Sequence, residues 1–280
     1  MKIARNDGGF LVEHPDGGWI PLDRLGLTAA DTAAVIAQRG ALATALDRGG
    51  PGDDIDVRTL RRPIVRPGKV LAIGMNYMDH IRETGAKVPE RPVLFAKFPN
   101  SLNDPYGDVV MDRELTGQGD YEVELAAVIG TRTRGISEED ALGAVFAYTV
   151  ANDVSARDWQ SADAQISRSK SFDTFCPIGP WLVTADEIAD PQALALRSWV
   201  NDELRQDSST AEMLFTLAEL IAFIARGMTL EPGDVLLTGT PHGVGFAMDP
   251  PRFIVPGDVV RCEVQGIGTI ENRVVGPPGG

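Results

Sequence analysis

The sequence predicts an α+β, β-rich chain in two parts: a small N-terminal α/β domain over residues 1–65 and a larger domain over residues 66–280. Three observations carry this. Beyond residue 66, short apolar runs bounded by Gly and Pro outnumber helical patterns. Near the start, one Ala-rich helical pattern is broken by Gly49-Gly50-Pro51-Gly52. Arg66-Pro67-Gly68 then opens the strand-rich stretch.

In chain order, strand pieces are expected around Phe10–Val12 and Trp19–Pro21 with a turn at Asp16-Gly17-Gly18, then one helix from Thr28 to Leu46. That helix carries Val35, Ile36, Leu42 and Leu46 at core spacing and no chemistry. The larger domain reads as strands at Val70–Ile73, Val93–Phe95, Glu122–Ile129 and Phe146–Val150. Four more follow at Trp181–Thr184, Arg197–Val200, Val235–Thr238 and Val259–Val264. Asn201-Asp202 reads as a tight hairpin turn. A second helix is expected over Thr210–Arg226, with Ser209 and Glu212 as a capping box and Gly227 as its stop. Pro-Gly-Asp-Val recurs at 232–235 and 256–259, each time entering a strand, which is turn chemistry and not a repeat architecture.

Composition narrows the function. The formal net charge of −14 argues against nucleic acid and anionic membrane surfaces as partners. No apolar run approaches the ~20 residues of a membrane span. The start MKIARNDGGF lacks a signal-peptide core, and two cysteines, Cys176 and Cys262, are too few for a disulfide framework. A cytoplasmic protein is expected.

Chemistry concentrates in DYEVEL (120–125) and NDVSARD (152–158). Residues two apart on a strand point to one face with Cα atoms about 7 Å apart, so the Glu122 and Glu124 carboxylates can reach one cation. Asp153, at the end of the next apolar run, supplies a third oxygen donor. Such a set without Cys or His suits a hard ion: Mg²⁺, Mn²⁺ or Ca²⁺. Ser155 reads as a helix cap with Asp158 as its partner, setting Arg157 and Gln160 on one face. Lys170 lies in the polar run SRSKSFDTFCPIGP (167–180). Upstream, KVLAIGMNYMDHIRETG (69–85) reads as a buried strand and a short helix, with His80 and Glu83 on one helical face and Gly85 as the stop. Asp120, Asp158 and Arg168 read as solvated or supporting residues, and His14 and His242 receive no catalytic role.

The set GMNYMDHIRE, DYEVEL, NDVSARDWQ, SKSFDTFCPIGP and LLTGTPHGVG (236–245) resembles the fumarylacetoacetate hydrolase family, over about residues 66 to 275 and in the family's motif order. It is most similar to the short members that act on acylpyruvates and related 2-oxo acids. The resemblance implies a mixed β-sheet, barrel-like roll for the larger domain and a homodimer. It implies metal ligation by Glu122, Glu124 and Asp153, and catalysis by His80, Glu83 and Lys170. Substrate contacts are implied for Arg157, Gln160, Thr240, Tyr77 and Gly239. Members that cleave fumarylacetoacetate itself place a further carboxylate ligand near the segment that reads Asn76-Tyr77 here, which points to a different substrate.

The expected partner is therefore a small anionic 2-oxo acid, and the expected reaction is metal-assisted hydrolysis of a C–C bond in an acylpyruvate or other 2,4-dioxo acid. In that reading Glu83 orients His80, His80 activates water, Lys170 stabilises the developing oxyanion, and the metal stabilises the departing enolate. The helix carrying His80 is expected to act as a lid. Two alternatives stay open: decarboxylation of oxaloacetate, or isomerisation or hydration of an unsaturated 2-oxo acid, on the same site; and a non-catalytic metal- or ligand-binding protein.

Overall fold

In the structure, a computed structural model that describes residues 1–46 and 50–277, the chain opens on three strands: β1 (Lys2–Asn6), β2 (Gly9–Glu13) and β3 (Trp19–Pro21). Helices α1 (Thr32–Ala37) and α2 (Arg39–Leu46) follow. Gly49 of the expected helix breaker lies outside the described residues. Next come β4 (Val70–Gly74), α3 (Met78–Thr84), β5 (Val93–Lys97) and the short strands β6 (Leu102–Asn103), β7 (Val109–Val110) and β8 (Gly119–Asp120). The centre holds β9 (Val123–Ile129), α4 (Glu138–Ala141), β10 (Val145–Asn152), β11 (Ser155–Ala156) and α5 (Arg157–Ala162). The remainder is β12 (Cys176–Thr184), β13 (Ala195–Val200), β14 (Glu203–Ser209), α6 (Leu217–Ala225), β15 (Val235–Leu237), β16 (Val259–Val264) and β17 (Gly268–Val275).

A ten-stranded mixed sheet runs β3-β2-β1-β12-β10-β9-β15-β4-β5, with β6 beside β12. A five-stranded sheet, β14-β13-β16-β17-β7, stacks on β9, β10 and β12. Neither path returns to its own start, so the roll is an open pair of sheets and not a closed barrel. The leading strands join the main sheet directly, because β1 pairs antiparallel with β12 from Lys2↔Val183 to Ala4↔Trp181.

Strand β9 shows how the layers are built. Successive side chains on a strand face opposite ways. Val123, Leu125, Ala127 and Ile129 enter the core between the two sheets, while Ala126 and Val128 enter the core beneath α1 and α2, with Val35, Ile36, Leu42 and Leu46. Glu122 and Glu124 continue the second of these rows, at the end of the strand beyond the helices' cover.

Three local expectations are corrected. The single helix over 28–46 is two helices: the Asp31 side chain accepts from Ala34 N to start α1, and the chain turns at Gln38. That turn lets Val35 and Ile36 on one helix and Leu42 and Leu46 on the other reach the same core. The second helix starts later than Thr210. Residues Thr210–Glu212 form one tight turn, and the amides of Leu214 and Phe215 are held extended by Asn76. The working capping box is Thr216 with Glu219, both halves being made. Thr216→Ala should cost about 1 kcal/mol in chemical denaturation; an unchanged midpoint would refute the cap. Ser155, finally, lies in β11 with its hydroxyl donating to Asp153 O (2.9 Å), so it does not cap α5. No helix among the described residues is long and apolar enough to cross a membrane.

Candidate active site

Antiparallel pairing of β9 with β10 sets Asn152 opposite Val123, and Asp153 N donates to Glu122 O (2.9 Å). The turn that follows β10 therefore delivers Asp153 to the two glutamates. One oxygen from each of Glu122, Glu124 and Asp153 lies within 4.8 Å of the others, and all three residues are buried. Burial of like charges this close demands compensation. Lys170 Nζ donates to Glu122 Oε2 (2.7 Å) and Asp153 Oδ2 (2.8 Å). Arg157 donates to Glu122 Oε1 (2.5 Å), to Asp120 Oδ2 (2.9 Å) and to Gln160 Oε1 (2.9 Å). Lys97 Nζ, on β5, donates to Asp153 Oδ1 (2.5 Å).

Counting charges shows what the cluster still lacks. Four buried carboxylates (Asp120, Glu122, Glu124, Asp153) face three buried cations (Lys97, Arg157, Lys170), leaving one negative charge uncompensated. The deficit falls on Glu124, whose one hydrogen bond among the described residues comes from Gly239 N (2.7 Å). Burial, then the charges of Asp153 and Glu122, push its carboxyl well above the usual range. Burial also opposes ionisation of Glu122, but Lys170 and Arg157 outweigh it and bring that group down to about 2. An excess of negative charge on three converging oxygens, with no sulfur or imidazole among them, fits a hard divalent cation. Because the raised Glu124 must lose its proton to bind a cation, affinity for Mn²⁺ should rise as pH rises. Calorimetry at about pH 6 and about pH 8 should show tighter binding and proton release; a pH-independent affinity would contradict it.

The second half of the site hangs on α3. Gly85 ends this helix in the left-handed conformation (φ 65°), as its position in the sequence suggests. His80 Nδ1 lies 3.2 Å from Glu83 Oε2, and Glu83 Oε1 accepts from Gly243 N (2.8 Å). In the tautomer that donates Nδ1–H to this carboxylate, Nε2 is left as a base. Asp79 ties the same helix to the rest: Ser208 Oγ and His242 Nδ1 both meet its Oδ2, the latter at 2.9 Å. The expected lid is thus docked on the glycine-rich loop, and His242, given no role from sequence, is one of its fastenings. The ring of His80 stands edge-on to Phe246.

A cavity of about 260 Å³ brings the two halves together. His80, Glu122, Arg157, Gln160, Lys170 and Thr240 supply its polar wall, and Ile73, Met75, Val93, Phe95, Ile166 and Phe246 its apolar wall. A larger hollow of about 500 Å³ beside Lys2, His14 and Glu187 has no comparable cluster of buried charge. Two expected contact residues do not line the cavity. Tyr77 is fully buried, and Gly239 serves the cluster through its amide; at its φ of 99° a side chain is strained, and an added Cβ would meet Asn76 Cβ at 2.9 Å. Thr240 does line it, but its hydroxyl donates to Val123 O (3.0 Å) and accepts from Gln206 Nε2 (2.8 Å). Asp120 is not solvated: it accepts from Arg157 and from the amides of Gly245 (2.7 Å) and Phe246 (3.1 Å). Asp158 accepts from Thr116 Oγ1 (2.6 Å), and Arg168 pairs with Asp163 at the surface. Lys97, Asn152 and Gln206 escaped the sequence reading.

The chain is similar to several known proteins. A relative from Bos taurus, oxaloacetate tautomerase FAHD2B, mitochondrial, is 43% identical over 272 residues, spanning 96% of this chain and 85% of that protein. Oxaloacetate tautomerase YisK of Bacillus subtilis is 45% identical over 219 residues, 77% of this chain and 72% of that protein. Among solved structures, maleylpyruvate hydrolase from Sphingobium sp. SYK-6, in complex with manganese(II) ion and pyruvate, matches with a TM-score of 0.80 at 32% identity, over 99% of this chain and 100% of that one. Residues 69–275 match the model of the fumarylacetoacetate (FAA) hydrolase C-terminal family. Carrying the motifs, the fold and the buried carboxylate triad together, the chain belongs to the fumarylacetoacetate hydrolase family.

Proposed function

We propose that this protein is a divalent-metal-dependent enzyme that interconverts the keto and enol forms of oxaloacetate or a closely similar small 2-oxo dicarboxylate. The observation that carries this reading is the oriented His80–Glu83 pair, whose imidazole lines the same small cavity as Lys170 and Glu122, the one member of the carboxylate triad that reaches its wall. The names of the two tautomerase relatives support the substrate class.

A divalent ion held by Glu122, Glu124 and Asp153 would lower the cost of negative charge on the substrate's C2 oxygen. The chain's own residues do the rest. In the keto-to-enol direction the C3–H bond breaks, its proton passes to His80 Nε2, and the electron pair forms the C2=C3 bond. The C2=O π pair moves onto the oxygen, Glu83 holds the resulting imidazolium in place, and passage of the imidazolium proton to the C2 oxygen completes the enol and restores the base. The reverse direction runs the same steps backward, so no co-reactant is consumed. Lys170 has three N–H donors, of which two are spent on Glu122 and Asp153; the third is available to the C2 oxygen as charge develops there. The apolar wall excludes water, which would otherwise compete for both proton transfers.

C–C bond hydrolysis of an acylpyruvate, the reaction first expected, is the second reading. It is favoured by the likeness to maleylpyruvate hydrolase and by the same base, which could activate water in place of C3. Ultraviolet absorbance of enol-oxaloacetate, followed with Mn²⁺ present and with EDTA added, tests the first reading. Metal-dependent acceleration of its decay supports tautomerisation. No acceleration, with release of pyruvate from an acylpyruvate in a parallel assay, would replace it with the hydrolase.

A further inference from the structure

We propose that Met75 determines substrate size: its side chain closes the apolar end of the cavity and confines the enzyme to 2-oxo acids with a small group on C3. This rests on the proposed function, since it takes C3 as the carbon that His80 serves. The first observation is in the backbone. Met75 directly follows β4 and has a φ of 55°, a region where Gly or Asn is at home and a long side chain is uncommon. Four non-glycine residues among the described ones have positive φ, Arg66, Met75, Thr174 and Asn201, and of these Met75 alone lines the cavity. Its neighbours impose the conformation. On one side β4 pairs with β15 and, as far as Gly74, with β5. On the other, the buried Asn76 side chain accepts from Phe215 N (3.0 Å) and donates to Thr238 O (2.8 Å), while Asn76 O accepts from Leu214 N (2.7 Å). A glycine would meet these backbone demands without strain, so a methionine there points to work for its side chain.

The cavity supplies that work. Lys170 Nζ lies 5.5 Å from the centroid of the Phe95 ring, so the apolar wall begins beside the ammonium that faces the C2 oxygen. Val93 and Phe95 also flank Gly74, where an added Cβ would meet them at 3.7 and 3.8 Å, and Met75 is the next residue of the chain. Val93 is 41% exposed, so this end of the wall reaches the surface. At about 260 Å³ the cavity is smaller than the ~300–1,000 Å³ of most small-molecule sites. With the C1 carboxylate and C2 oxygen at the charged end, a substituent on C3 has only the space that Met75 leaves. An unbranched, adaptable thioether suits such a stopper, because it fills irregular gaps.

The test follows the decay of enol-oxaloacetate and of enol-phenylpyruvate, a 2-oxo acid with a bulky group on C3, by ultraviolet absorbance with the full chain and Mn²⁺. Wild-type protein should favour oxaloacetate by about 100-fold or more in kcat/KM. Met75→Leu conserves volume and should conserve the preference. Met75→Ala and Met75→Gly should each raise kcat/KM on phenylpyruvate by about tenfold or more and lower it on oxaloacetate by less than about tenfold. Met75→Gly should also melt no lower than Met75→Ala, because glycine relieves the positive φ. The two truncations enlarge the same space on different backbones, so either one decides if the other does not fold. Equal wild-type kcat/KM on the two substrates, or an unchanged ratio in a folded truncation, would overturn the role of Met75 while leaving the tautomerase reading standing. Wild-type protein that accelerates neither decay would overturn that reading, and this inference with it.

Discussion

Glu124→Gln should leave a folded protein that has lost most of its metal affinity and nearly all of its turnover. Glu124 is the one carboxylate of the triad without a cationic partner among the described residues, so neutralising it strands no lysine or arginine. The amide is the same size, and its oxygen can still accept from Gly239 N. Stability of the metal-free variant should therefore match or exceed wild type, because burial and the charges of Asp153 and Glu122 already disfavour the ionised side chain. Affinity for Mn²⁺ should fall by at least the 10–100-fold or so typical of a disturbed metal shell, and added Mn²⁺ should restore activity only in part. Asp153→Ala is a harsher route to the same end. It leaves Lys97 and Lys170 facing a void, with a stability penalty of about 3–5 kcal/mol. Calorimetry with Mn²⁺ and thermal melts on both variants check this. Full turnover by Glu124→Gln in metal-free buffer would remove the ion from the mechanism.

His80→Ala should lower kcat by about 10²–10⁴-fold while leaving Mn²⁺ affinity unchanged. The imidazole is buried against Phe246 and fixed by Glu83, and it makes no hydrogen bond to the carboxylate triad. Its removal therefore takes away the base without touching the ligands. Glu83→Gln should produce a smaller loss, since the ring stays but its orientation and imidazolium form are less well supported. Tautomerisation and acylpyruvate hydrolysis both need the base and should fall together. Decarboxylation of oxaloacetate requires neither C–H abstraction nor water attack, so it should fall far less. Equal loss of all three activities in His80→Ala would show that His80 acts in a step common to them, as a proton donor to the enolate.

Much of the site was legible because its residues sit in short motifs whose spacing translates directly into geometry. Glu122 and Glu124 share a strand face, His80 and Glu83 share a helical face, and Arg157 meets Gln160 one turn later. What escaped notice depends on pairing between distant segments. Lys97 ends an apolar strand, and nothing local says that Asp153 and the carbonyls of Lys170 and Phe175 will surround it. Gln206 belongs to β14, a polar strand at a sheet edge that lacks the alternating pattern by which the others were read. Its amide spans β9 and the glycine-rich loop by accepting from Val123 N and donating to Thr240. The capping-box error has the same origin. Ser209 with Glu212 and Thr216 with Glu219 are equally good local signals, and only the contact of Asn76 with Leu214 and Phe215 decides between them.

The fastening of α3 ties the supply of the catalytic base to the passage of substrate. Ser208 and His242 hold Asp79, Gly243 holds Glu83 and Arg82 pairs with Glu212, so displacing the helix breaks at least four hydrogen bonds to carboxylates. These together are worth about 2–5 kcal/mol, which puts the displaced form at a population on the order of 10⁻² to 10⁻⁴. If substrate enters by that route, its apparent affinity is weakened by the same fraction. A molecule that has entered, in turn, is held until the helix lets go. Residence time and reactivity are then set by one seven-residue segment, and changes at Ser208 or His242, neither of which lines the cavity, would act on catalysis as changes in the lifetime of the closed complex.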